Sequence, residues 1–141
     1  MSSNSLDSGS FAASNATLML IARIFMGHIF IVAGIRKFMS FEGTMKYIST
    51  QLPMADIVTP LVIAFEIAVG VLFILGWRTR LCAWLMAAFC IVAGALFHAF
   101  WAAPDAALVP QLNNFMKNVA MAGGYIMFAI FGAGATSIDK R

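Results

Sequence analysis

The chain has 141 residues, of which 62 % are hydrophobic and 11 % charged, with a formal net charge of +3. Water-soluble domains carry roughly 45–50 % apolar and about 25 % charged residues, and a chain this short has too little interior to hide such an apolar excess. The composition excludes an ordinary soluble domain and points to a membrane. The basic pI of 9.2 rests on few charges; it suits an anionic membrane surface and predicts no nucleic-acid partner.

Residues 1–15, MSSNSLDSGSFAASN, hold six serines, one Asp and no Lys or Arg. They read as a short polar, disordered tail ahead of a single domain over 16–141. They lack the positive n-region of a secretory signal, so the first helix is expected to stay in the mature protein. Four apolar runs follow, at 16–38, 57–77, 81–103 and 115–135. Each is long enough for a spanning helix, which needs about 20 residues. They are apolar all round and lack the alternation of a spanning β-barrel, and lipid offers the backbone no partners. The expected fold class is all-α: a four-transmembrane-helix bundle.

The connections are short. In FEGTMKYISTQL (41–52), Phe41, Met45, Ile48 and Leu52 recur at helical spacing, with Glu42 and Lys46 one turn apart on another side. This segment reads either as an amphipathic helix in the interface or as an ordinary loop. The second span starts between Pro53 and Pro60, and Thr59-Pro60 could supply its cap and first turn. Gly76 to Arg80 reads as a tight turn, and 101–114, with Pro104 and Pro110, as the last loop. Arg78, Arg80, Lys140 and Arg141 share one side of the membrane with both termini, facing Arg36, Lys37, Lys46 and Lys117 on the other. Setting aside Arg36, Lys37 and Lys117 as helix-end residues of a site places both termini in the cytoplasm.

Charges inside such runs are costly, and they face the bundle interior when they occur. Arg23, Gly27, Phe30, Gly34 and Lys37 share one helical face, where the two glycines admit a close neighbour. His28 falls off that line. Counting about 1.5 Å of rise per residue from Lys37 and Asp56 puts Arg23 and Glu66 at similar depth, so an intramembrane Arg23–Glu66 pair is expected. Lys37, His98, Lys117 and Asn118 fall at the opposite end of the bundle from the termini. They are expected to line an outward-facing pocket for a small oxyanion or a quinone head group, with imidazole able to carry a proton. The alternatives are snorkelling and capping for the lysines and core packing for the histidine. Arg36 is expected to face head groups. Gly123-Gly124 and Gly132-x-Gly134 in the fourth helix, with Ala64 and Ala68 in the second, are small residues for helix contacts. Cys82 and Cys90 are not a C-x-x-C, the histidines are on different helices, and no metal site is expected.

The order Arg23, GIRKF, Glu66 in FEIAVGVLFILGWRTR, His98 in LFHAFW, FMKNVAMAGG and a terminal GAGATSID resembles the DoxX family of small four-helix bacterial membrane proteins. The resemblance runs from about residue 18 to 139. It implies a multi-pass protein of the bacterial inner membrane. Members resemble the membrane subunit of a thiosulfate:quinone oxidoreductase, and others accompany membrane complexes that handle thiol or oxidative stress. Three function classes follow: a redox-linked component with a bound quinone, a non-catalytic subunit anchoring a larger membrane oxidoreductase complex, and a small-solute transporter. Whether the chain is itself an enzyme stays open, because it carries no cofactor motif of its own. The lipid bilayer is the first partner, with other subunits or a homo-oligomer beyond it.

Overall fold

The computed structural model describes residues 4–140, with side chains from Asn15 onward. Five α-helices account for most of it: α1 (Asn4–Met39), α2 (Phe41–Ile48), α3 (Ala55–Leu75), α4 (Thr79–Phe97) and α5 (Asp105–Phe131), with a short 3-10 turn at Phe100–Ala102. No strand occurs among the described residues. Three segments are long and apolar enough to cross a membrane: Asn15–Met39, Ala55–Leu75 and Thr79–Ala102. The backbone of residues 4–15, expected as a disordered tail, is helical and continuous with α1.

The helices associate as two pairs, α1 with α3 and α4 with α5. Glycine makes the first pair possible. A Cβ on Gly70 would stand 3.2 Å from the Gly27 carbonyl oxygen, and one on Gly34 would stand 3.3 Å from the Ile63 carbonyl oxygen. The expected face is present: Arg23, Gly27, Phe30 and Gly34 are buried, and Lys37 is half-buried at its end. His28 and Arg36 point outward. Ala64 and Ala68, expected to serve helix contacts, are exposed; Gly70 is the small residue of α3 that faces α1. The second pair meets where Gly94 abuts Asn118. Aromatic rings join the pairs. Phe30 of α1 and Phe73 of α3 both meet Tyr125 of α5 edge-on, at 5.7 and 5.2 Å between centroids, and the Tyr125 hydroxyl donates to the Met26 carbonyl oxygen at 2.6 Å. Such ring pairs contribute roughly 0.5–1.5 kcal/mol each beyond area burial.

Several boundaries differ from expectation. Residues 41–48 are helical, which settles α2 as a helix. Helix α3 begins at Ala55, so Thr59-Pro60 is not its cap; the Thr59 hydroxyl bonds the Ala55 carbonyl oxygen at 2.6 Å, next to Pro60, which removes a backbone donor. The expected loop at 101–114 is mostly helix, because Pro104 stands at the N-cap of α5 and Pro110 lies inside the helix. Helix α5 then stops at Phe131, and Gly132 and Gly134 adopt φ of 84° and 80°. Those glycines lie beyond α5 and turn the chain, and Gly134 also comes close to Met19 of α1, 3.1 Å from where a Cβ on it would stand. The α3–α4 turn is as expected: Gly76, at φ 73°, follows α3, the Trp77 N–H bonds the Leu72 carbonyl oxygen at 3.0 Å, and the Gly76 N–H bonds that of Phe73 at 3.1 Å. This is a Schellman closure, which needs a left-handed residue that glycine supplies without strain.

Candidate functional site

The polar residues of the spans fall at two opposite ends of the bundle. At the Gly76 end, Arg23 is 1 % exposed. Its guanidinium donates to the Ile74 carbonyl oxygen at 2.9 Å and to that of Thr136. The chain after α5 lies across the α3–α4 turn. Ile138 and Asp139 donate backbone N–H bonds to the Leu75 and Gly76 carbonyl oxygens at 3.1 and 2.9 Å. The Asp139 carboxylate accepts the Arg78 and Thr79 N–H groups at 3.0 and 2.8 Å, and the Thr79 hydroxyl at 3.1 Å. It caps α4 from a distant part of the chain, where a carboxylate also meets the positive end of the helix dipole. Arg23 and Asp139 thus clasp α1, α3, α4 and the C-terminal segment together.

Arg23 therefore does not pair with Glu66. Glu66 pairs with Lys37, whose ammonium donates to both carboxylate oxygens at 2.7 and 2.8 Å. Two physical reasons account for the exchange. The first is register: Gly34 sits against Glu66 and Ile63, and Arg23 is eleven residues before Gly34, roughly 16 Å along the axis. Helix α3 overhangs the end of α1, and α2 packs on that overhang, so Asp56 and Lys37 do not share a level. The second is direction: helical side chains lean toward the N-terminus. That carries the Lys37 ammonium inward to Glu66 and the Arg23 guanidinium outward to Ile74. The Lys37 side chain is 31 % exposed and that of Glu66 4 %, so the pair stands at the edge of the interior.

Beside this pair lies a cavity of about 410 Å³. Apolar side chains make most of its wall: Ile29, Phe30 and Ala33 from α1, Val58 and Val62 from α3, Phe89, Val92 and Leu96 from α4. Its polar groups are Lys37, Glu66, Thr44, Tyr47, His98 and Asn118. Three of the four residues expected to share a pocket do so. The fourth, Lys117, is exposed and outside the lining; it is one residue, about 100°, away from Asn118 around α5. His98 Nδ1 lies 2.9 Å from the Gln111 side-chain oxygen, a hydrogen bond that fixes the orientation of the imidazole ring. The Asn118 amide donates to the Asn114 carbonyl oxygen at 3.0 Å.

The cavity exists because the two helix pairs do not close on one another there. Among the described residues, the backbones of α1 and α4 nowhere come together, and only long side chains bridge them, as Phe30 and Phe89 do at 5.7 Å. Ile29 and Val92, on opposite walls of the gap, are also exposed. Helix α2 bridges the gap at one end: the Tyr47 hydroxyl donates to the Phe97 carbonyl oxygen at 3.3 Å and the two rings lie 5.3 Å apart. Nothing in the sequence singles out Thr44, Tyr47 or Gln111, since segment 41–52 reads equally as a loop and Gln111 directly follows Pro110 in the stretch expected to be a loop. Cys82 and Cys90 are free and buried, and no group of three metal-ligating side chains occurs among the described residues.

These features define a polytopic membrane protein with a laterally placed, largely apolar cleft. A family model described as DoxX matches residues 18–99, and the chain belongs to that family. Inner membrane protein YphA of Escherichia coli (strain K12) is 36 % identical over 139 residues, 98 % of this chain and 99 % of the relative. Inner membrane protein YqjF of the same strain is 36 % identical over 122 residues, 86 % and 89 % of the two chains. No solved structure matches. The chain is accordingly a multi-pass inner membrane protein.

Proposed function

We propose that this protein is a redox-linked membrane component that holds a quinone head group in the cleft between its helix pairs. The observation that carries the reading is the composition of that cleft: an apolar wall open toward the lipid, with polar groups gathered around a Lys37 already neutralised by Glu66. A small oxyanion would need an unmatched cation; Lys37 is paired and Lys117 faces away. A neutral carbonyl compound that lives in the bilayer fits both the wall and the charge balance. The Lys37 ammonium would donate to a carbonyl oxygen, and His98 would hold or release a proton. Electrons would come from a partner subunit, since the chain has no cofactor motif of its own.

The same reading includes a fourth crossing. Helix α5 starts beside the His98 end and its continuation reaches the α3–α4 turn, so it runs the length of α4. Four crossings put both ends of the domain on one side. There Arg78, Arg80, Lys140 and Arg141 face Arg36, Lys46 and Lys117 once Lys37 is discounted as paired. Four cations against three favour a cytoplasmic location for that side.

The test is binding of a short-chain ubiquinone analogue to the protein in lipid nanodiscs. Wild type should bind saturably, Lys37→Ala and His98→Ala at least tenfold more weakly, and Arg36→Ala like wild type. Absence of saturable binding, or equal effects at positions 36 and 37, would overturn the quinone reading and favour a subunit that only anchors a larger complex.

A further inference from the structure

At the other end of the molecule, a second cavity of about 600 Å³ is lined by Trp77, Arg78, Arg80, Leu81, Gly132 and Asp139. We infer that this cavity binds the phosphate head group of an anionic membrane lipid. Depth comes first. Helices α3 and α4 are both long and apolar enough to span, and only Gly76, Trp77 and Arg78 separate them. A turn that short between two spans lies at the membrane boundary, where lipid phosphates and interfacial tryptophans are found.

Charge and geometry come second. Arg78 and Arg80 are both exposed and outnumber the one carboxylate of the lining. That carboxylate, Asp139, directs both oxygens at the N–H groups and hydroxyl that begin α4. The Arg78 backbone is held in the left-handed region at φ 45°, a costly conformation for any residue with a Cβ, and one that the Asp139 bond helps to fix. Its guanidinium lies 5.5 Å from the centroid of the Trp77 ring, so a cation and an indole face the cavity as one unit. A planar guanidinium fork matches phosphate oxygens. Below the arginines, Leu81, Trp84 and Leu85 of α4 are exposed and offer an acyl chain an apolar track. A phospholipid satisfies both halves; a soluble phosphate satisfies only the upper one.

The experiment compares lipids on the intact protein purified in neutral detergent. Native mass spectrometry and thermal melting would be read with phosphatidylglycerol, with phosphatidylcholine and with inorganic phosphate. Phosphatidylglycerol should remain bound and raise the midpoint by several degrees, and phosphatidylcholine should do neither. In Arg78→Gln/Arg80→Gln the preference for phosphatidylglycerol should vanish, while the melting midpoint in phosphatidylcholine stays near wild type. Arg80→Gln alone, which leaves the strained residue in place, should weaken the preference, and Arg36→Gln at the opposite end should leave it intact. Equal protection by both lipids, an unchanged preference in the double variant and in Arg80→Gln, or full protection by inorganic phosphate alone would each overturn the lipid assignment.

Discussion

The lysine and arginine of α1 illustrate how much a side chain's direction decides. Both lie on the face that the helical period defines, fourteen residues apart, and both lean toward the N-terminal end of α1. That takes Lys37 toward the middle of the bundle and Arg23 to the α3–α4 turn at its end. Replacing Lys37 by Met leaves the Glu66 charge without a partner. For a buried pair that costs about 3–5 kcal/mol; because Lys37 is a third exposed, a loss of roughly 2 kcal/mol is expected. A double-mutant cycle of Lys37→Met with Glu66→Gln, read by thermal or denaturant unfolding in mild detergent, should give a coupling of about 1–2 kcal/mol. The same cycle between Arg23→Gln and Glu66→Gln should give additivity within about 0.5 kcal/mol, since the two residues serve opposite ends. A coupling with the roles reversed would show that the register of α1 against α3 is wrong. The shared face of Arg23, Gly27, Phe30, Gly34 and Lys37 is legible in the sequence because a 3.6-residue period needs no partner to be read. The pairing is not, because it depends on where α3 begins and on the overhang that α2 covers, and neither leaves a periodic mark in the sequence.

At the scale of helices, glycine separates into three uses that spacing alone does not distinguish. Gly27, Gly34 and Gly70 let α1 and α3 touch, Gly76 turns the chain with a positive φ, and Gly123 of α5 faces open space, where an added Cβ would meet nothing within 4 Å. A Cβ at Gly76 would collide with the Arg23 guanidinium, so Gly76→Ala both strains the backbone and displaces the clasp. It should destabilise by more than about 2 kcal/mol, whereas Gly123→Ala should be neutral or gain up to about 1 kcal/mol from helix propensity. Melting of the two variants side by side checks the ordering; equal loss would mean that Gly123 meets a neighbour in the membrane. Proline hides the start of α5 in a related way. Pro104 and Pro110 have the look of loop residues, but one precedes the helix and the other lies within its first two turns, where one missing N–H leaves the rest of the ladder intact.

For the molecule as a whole, the clasp at one end and the cleft at the other divide the work between rigidity and access. Removing residues 136–140 would strip Arg23 of one carbonyl partner and α4 of its carboxylate cap. The expected outcome is a drop in melting temperature with binding of the ubiquinone analogue at the proposed site in the far cleft unchanged; loss of binding at a temperature well below unfolding would show instead that the two ends communicate. Orientation is open to direct test. Thr79 is buried and bonded to Asp139, so the better reporter is Arg80→Cys in a background with Cys82 and Cys90 replaced by Ala. An impermeant thiol reagent should label it only after the membrane is opened, and labelling in intact cells would reverse the proposed topology.

The separation of the two helix pairs has a further mechanical consequence. A gap walled by side chains and bounded by lipid is held open against the sideways compression that acyl chains exert on anything embedded among them. Its width is then a property of the membrane as much as of the protein. Bilayers rich in small-headed lipids, which press harder at acyl-chain depth, should narrow the space between Ile29 and Val92 and slow both entry and exit of whatever occupies it. Loosely packed bilayers should do the reverse with no change in sequence.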